Sequence, residues 1–258
     1  MSNIRINILF EGNIASGKSS LLRHIQSLYT NVHIRWEPVD EWVNHKGLNI
    51  LNEYYANPKE KGFEFELQVL NSMARRAKRS MPWSLNYCFE ERSIDSAIQV
   101  FCPYMVESNF LSHRQMELLK ETASNSLTGS EKNSHPSYIV YCRSNPAQCF
   151  ERNKSREGSL HNKAVPLEVF EAVHRNYENW LRKNYAIVQG KETRVFILDT
   201  TLTIQQTLVE LQRFLDVIQR ESGARLEKAD EQTSGYHVRG RADWDMSEND
   251  GEDDDDDV

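Results

Sequence analysis

The chain has 258 residues, 39% hydrophobic and 10% aromatic, which bounds it to one ordinary domain or one domain with a tail. No apolar run approaches the roughly 20 residues needed to span a bilayer, so a membrane is not an expected partner. The net charge of −7 belongs to one end: Asp243–Val258 holds ten Asp/Glu and no Lys/Arg, leaving 31 basic against 28 acidic residues (+3) elsewhere, no basis for a nucleic-acid partner.

In chain order, five short apolar runs read as strands: Ile6–Phe10, Val32–Trp36, Leu85–Phe89, Tyr138–Cys142 and Val195–Leu198. Between and after them lie stretches of helical periodicity, among them Leu21–Tyr29, Phe63–Lys78, Leu167–Trp180 and Ile204–Gln219. Continuous apolar strands alternating with amphipathic helices predict an α/β fold, a five-stranded parallel sheet flanked by helices on both faces. In such sheets ligands sit at the carboxyl ends of the strands. Ser124–Ser137, rich in Ser, Asn, Thr and Gly, reads as an exposed loop. Residues 1–222 form the expected domain, and the polar, acidic segment 223–258 reads as a disordered tail. The first residues lead straight into a strand, leaving no room for a signal or transit peptide. Cys88, Cys102, Cys142 and Cys149 show no metal spacing and read as reduced core thiols. The expected location is cytoplasmic, with the nucleus left open.

The first strand runs into Gly12-Asn13-Ile14-Ala15-Ser16-Gly17-Lys18-Ser19, which fits G-x-x-x-x-G-K-[ST] in the strand–loop–helix setting that a phosphate-binding loop requires. Its backbone N–H groups would cradle phosphates, Lys18 would reach the β- and γ-phosphates, and the Ser19 hydroxyl is a ligand for Mg²⁺. After the second strand, Pro38 leaves Glu37 at the sheet's carboxyl edge, either as a base for an attacking hydroxyl or as a solvated strand-end acid. Glu90-Glu91-Arg92-Ser93 follows the third strand, where an acid and an arginine would hold Mg²⁺ and stabilise phosphoryl charge, or simply pair at the surface. Arg152, Lys154 and Arg156 end a helix before Pro166, as a phosphate lid or as a solvated helix end.

The phosphate loop, Glu-Pro-Val-x-x-Trp, Glu-Arg-Ser and the basic segment before Val-Pro-Leu-Glu…His…Trp-Leu occur in this order over about residues 4–200. Together they resemble the deoxynucleoside kinases of animals and viruses, the group containing the insect multisubstrate and mitochondrial thymidine enzymes. The resemblance implies a P-loop kinase fold, a homodimer, and transfer of the γ-phosphoryl of ATP, with Mg²⁺, to the 5′-hydroxyl of a deoxynucleoside. It makes Glu37 the base, places Arg92 by that hydroxyl and the transferred phosphoryl, and sets Glu91 beside Ser19 at the metal. Trp42 and Phe101 would line the base pocket, Tyr55 would meet the sugar 3′-hydroxyl, and Ala97 would leave room above the base. The lid, about 152–165, departs from the family pattern R-x-x-x-R-x-R. Arg152 and Arg156 match, but Gly158 holds the third position, and Leu160 and His161 replace the paired acids.

The family reads the base with a Gln on the helix after Tyr55. Counting from Pro58 puts Glu66 there; counting back from Glu91-Arg92 puts Gln68 there. An amide offers both donors and an acceptor to thymine or cytosine, whereas an ionised Glu only accepts, so Gln68 is the expected reader, with Asn71 and Arg75 on the same face. This predicts pyrimidine deoxynucleosides, thymidine and deoxycytidine. Competing readings are a nucleoside monophosphate kinase, for which Glu-Pro-Val-Asp-Glu-Trp offers no cation, and a non-catalytic relative with a degraded lid.

Overall fold

A computed structural model describes residues 5–79, 81–82, 85–126, 136–155 and 165–229. Arg156, most of the expected lid and most of the acidic tail lie outside them.

The sheet has six strands in the order β2-β3-β1-β4-β6-β5: β1 Ile6–Gly12, β2 Val32–Arg35, β3 Tyr87–Glu91, β4 Tyr138–Arg143, β5 Tyr185–Val188 and β6 Lys191–Asp199. The first four and β6 pair in parallel, as the apolar runs predict. The expected count of five is corrected by β5, which pairs antiparallel with β6. Gln189 (φ 49°) and Gly190 (φ 75°) form the two-residue turn between them, the left-handed pair that matches strand twist. As an edge strand, β5 alternates exposed and buried residues instead of showing a continuous apolar run.

β1 shows how the layers form. Ile8 and Phe10 point into a core shared with α1 (Lys18–Leu28) and α10 (Ile204–Ser222), while Leu9 points into the opposite core with α9 (Leu167–Leu181). A third cluster joins the helices beyond the strand ends: α2 (Asp40–Val43), α3 (Ile50–Ala56), α4 (Pro58–Lys78), α6 (Cys102–Glu107) and α7 (His113–Ser126). α4 begins five residues earlier than the periodicity suggested, because Pro58 sits at its first turn, where a missing N–H costs nothing. The short α5 (Ile94–Ser96) leads through a π-helical turn, Ala97–Phe101, into α6; α8 (Pro146–Lys154) follows β4. No helix among the described residues is long and apolar enough to cross a membrane.

The compact body continues past residue 222, to Lys228. Thr203 and Gln206 form a capping box on α10, and Gly223 (φ 70°) closes its other end. The chain then returns to β2 and packs Leu226 into the first core. Asn31 fixes the return twice, donating Nδ2 to Arg225 O (2.8 Å) and accepting from Glu227 N (2.9 Å). Polar composition did not reveal this segment because its anchor is mostly backbone.

Candidate active site

The phosphate loop bends sharply because Gly12 (φ 147°) lies against β4. A Cβ there would stand 2.5 Å from the Cys142 carbonyl oxygen and 2.8 Å from Ser16 Oγ, and no small shift relieves a backbone clash. Ala15 (φ 57°) and Gly17 (φ 94°) complete the turn, and Gly17 opens α1 so that its first N–H groups face the loop. Asn13 ties the loop to α9, donating Nδ2 to Phe170 O at 2.8 Å. Lys18 is 4% exposed and donates Nζ to Gly12 O (3.0 Å), Asn13 O (2.8 Å) and Ser16 Oγ (3.4 Å). Burial, aided by the neighbouring Arg92 cation, lowers its pKa to about 8.

Ser19 Oγ donates to Glu91 Oε1 at 2.5 Å, so the expected metal pair meets. Two hard oxygens, one anionic, at the mouth of a phosphate loop suit Mg²⁺, which takes few protein ligands and keeps water and phosphate oxygens. Among the described residues no group of three His, Cys, Asp or Glu forms a fuller cage.

Arg92 lies across from the loop. Its backbone is left-handed (φ 60°), a conformation costing on the order of 1 kcal/mol outside glycine, and three contacts impose it. Its N–H donates to Phe10 O (3.0 Å), and Arg76 donates Nη2 to its carbonyl and Nη1 to that of Glu91, both at 2.6 Å. The Arg92 side chain is buried, with its guanidinium 4.8 Å above the Phe101 ring. Nε is 3.1 Å from Glu37 Oε1, but off the N–H axis, so this is an ion pair without a hydrogen bond. Burial raises the Glu37 pKa, with Glu91 adding and Arg92 and Lys18 opposing. The result is a carboxylate of enhanced proton affinity beside two cations and the phosphate loop.

Tyr55 packs on Tyr54, ring centroids 5.3 Å apart. Burial pushes its hydroxyl up to about 12, with Arg92, Glu37 and Tyr104 as its charged or polar neighbours. Ala97 is buried at the start of the π-turn. Trp42 is buried against Phe65 (5.9 Å, edge-on) and donates Nε1 to Ser72 Oγ at 2.8 Å, so its indole N–H is already committed to α4. Arg152 donates Nη2 to Thr200 O (2.9 Å), which ties α8 to the end of β6.

Gln68, Asn71 and Arg75 share one face of α4. Asn71 and Arg75 are exposed, Arg75 pairs with Glu41, and Gln68 Nε2 lies 3.0 Å from His45 Nδ1. Glu66 is 3% exposed beside Tyr54, and Cys102 Sγ donates to its Oε2 at 3.9 Å. Burial pushes this carboxyl up to about 8, so it is protonated at neutral pH.

Residues that the sequence did not single out are Arg76, Glu11 and Tyr177. Arg76 falls on the Val69–Met73 stripe of α4, a cation at an apolar helical position. Glu11 is an acid inside a strand otherwise apolar from Ile8 to Phe10. A charge in either setting demands partners, and that demand was the available signal.

A family model described as deoxynucleoside kinase matches residues 8–220. Mitochondrial thymidine kinase 2 of Homo sapiens is 34% identical over 176 residues, 68% of this chain and 64% of that protein. Deoxycytidine kinase 2 of Gallus gallus is 25% identical over 234 residues, covering 82% of this chain and 88% of the relative. The thymidine kinase of Ictalurid herpesvirus 1 is 27% identical over 198 residues, 75% and 83% of the two chains. The chain thus spans somewhat less than two thirds of the mitochondrial relative's length, and the family-model match over residues 8–220 holds the phosphate loop, Glu37 and the Glu91–Arg92 corner. On these matches, and on a fold that brings those motifs to one sheet edge, the chain belongs to the deoxynucleoside kinase family.

Proposed function

We propose that this chain is an ATP-dependent deoxynucleoside kinase, transferring the γ-phosphoryl of ATP to the 5′-hydroxyl of a pyrimidine deoxynucleoside. The observation that carries the reading is the Glu37–Arg92 pair at 3.1 Å, set across from a phosphate loop whose Lys18 is buried. The phosphate loop and the α1 N-terminus bind the triphosphate. Glu37 takes the 5′-hydroxyl proton as that oxygen bonds to the γ-phosphorus in line and the bond to ADP breaks. Lys18 and Arg92 balance the charge on the transferring group. Ser19 and Glu91 would hold Mg²⁺, which supplies charge neutralisation of the phosphates when bound. A homodimer is the assembly that the family resemblance supports.

For the base we take Glu66 in preference to Gln68, a reading supported by the burial of Glu66 and by the exposure of Asn71 and Arg75 beside Gln68. A protonated carboxyl offers one O–H donor and one carbonyl acceptor, the same pair that an amide would present. It can donate to thymine O4 and accept from N3–H, or donate to cytosine N3 and accept from the amino group. Neutral Glu66 therefore keeps the pyrimidine reading that an ionised one would have overturned.

A panel of the four deoxynucleosides with Mg²⁺-ATP, read by monophosphate formation, tests this. Turnover of thymidine and deoxycytidine is expected. No product from any of the four would leave the non-catalytic relative as the reading; a purine preference would overturn the role given to Glu66.

A further inference from the structure

Glu11 stands at the carboxyl end of β1, one residue before the phosphate loop, and is 0% exposed. Burial raises the Glu11 pKa to about 7, opposed by the hydrogen bond from Ser93, the Arg92 charge and the hydrogen bond from Tyr177, and both its oxygens are engaged. Ser93 Oγ donates to Oε1 at 2.7 Å, and Tyr177 O–H donates to Oε2 at 2.9 Å. These donors flank one residue. Ser93 follows Arg92 in the chain, and Tyr177, from α9, accepts from Arg92 Nη1 at 3.4 Å.

We propose that Glu11 is the positioning residue of Arg92, acting through Tyr177 on its side chain and through Ser93 on its backbone. The inference rests on the kinase reading, in which Glu37 turns to the substrate hydroxyl. Arg92 then loses its ion-pair partner and needs another hold. A direct Glu11–Arg92 pair would occupy two guanidinium donors that the phosphoryl group needs. The relay occupies one, and hydrogen-bond polarisation makes the Tyr177 oxygen a better acceptor because its own proton is given to a carboxylate. On the backbone side, Ser93 donates to Glu11 and accepts from Ser96 N (3.3 Å), which fixes the turn just after the left-handed Arg92. The buried Arg92 Nε has no hydrogen-bond acceptor, so the side chain is placed by these contacts without being saturated by them.

Glu11→Gln and Tyr177→Phe preserve shape and remove the charge and the hydroxyl respectively. Each is expected to lower kcat by about 10- to 100-fold while nucleoside KM stays within about threefold. The two losses should not add. Glu11→Gln placed in Arg92→Ala should cost nothing further in residual transfer from γ-labelled ATP, because the residue through which it acts is gone. A purely structural Glu11 predicts the opposite: additive losses, and a full further drop in the Arg92→Ala background. Either result would overturn the proposal. Crystal structures of the two single variants give a readout independent of turnover. A shifted or disordered Arg92 guanidinium is expected, and one unmoved in both overturns the proposal even if the wild-type chain proves inactive. Failure of the kinase reading shows separately, as wild-type protein that makes no monophosphate.

Discussion

Arg76 donates Nη2 to the Arg92 carbonyl oxygen at 2.6 Å, from a helix more than a dozen residues upstream, and so pins the strained backbone of the residue opposite the phosphate loop. The same guanidinium holds the carbonyls of Glu91 (2.6 Å) and Trp36 (3.1 Å) and sits 3.7 Å from Glu90. It thereby fixes the carboxyl ends of both β2 and β3. Arg76→Ala leaves those buried carbonyls without a donor and should cost about 3 kcal/mol of stability. Arg76→Lys cannot fork between two carbonyls and should recover less than half of that loss. Urea unfolding of the three proteins measures it; an unchanged midpoint in Arg76→Ala would sink the idea.

Glu37→Gln keeps the side-chain shape and removes the base, so kcat should fall by about 10²- to 10⁴-fold while nucleoside affinity changes far less. Lys18→Ala should separately lower turnover through the γ-phosphate. Steady-state kinetics on thymidine decide both, and near-native turnover of Glu37→Gln would remove it from the chemistry.

The Glu66 carboxyl gives a prediction in pH. Folded, it holds its proton up to about 8; unfolded, it releases it near its ordinary 4.5. Below 4.5 both states are protonated and the group takes nothing from stability. As the pH rises from 4.5 towards 8 only the unfolded chain releases this proton, so stability falls, and above about 8 the loss is constant. Glu66→Gln removes this loss and should narrow the drop in Tm between pH 5 and pH 8.5 by about 5 °C or more. Its thymidine kcat/KM should stay near wild type at pH 7, whereas Glu66→Ala should lose about 10²-fold. Identical pH profiles of Tm would show that the carboxyl is ionised when folded.

Two truncations separate the tail from the body. Removing 223–258 strips Asn31 of the Arg225 and Glu227 backbone and takes Leu226 from the core, so thermal stability should drop clearly. Removing 230–258 should leave Tm and kcat within about twofold of the full chain in unfolding constant and rate. Scanning calorimetry and turnover on both proteins check this.

The strands β1, β2, β3, β4 and β6 and the phosphate loop were legible in the sequence for local reasons. A strand covered on both faces must be apolar throughout, and the Gly12 and Gly17 backbone angles and the Lys18 and Ser19 chemistry are set within eight residues. Glu37, Glu91 and Arg92 were legible because strand ends collect at one edge of a parallel sheet. What tertiary structure alone decided depends on partners far apart in the chain. β5 escaped because one face meets water. Glu66 and Gln68 lie on different faces of α4, and which face is buried depends on contacts such as Trp42 bonding Ser72 and Arg75 reaching Glu41. Burial then set the protonation of Glu66, and a glutamate, a residue type that is mostly exposed, does not announce its own burial in the sequence. Likewise Glu11 meets Tyr177 across 166 positions. Composition along the chain reports what each residue can do, and only packing fixes which neighbour it does it with.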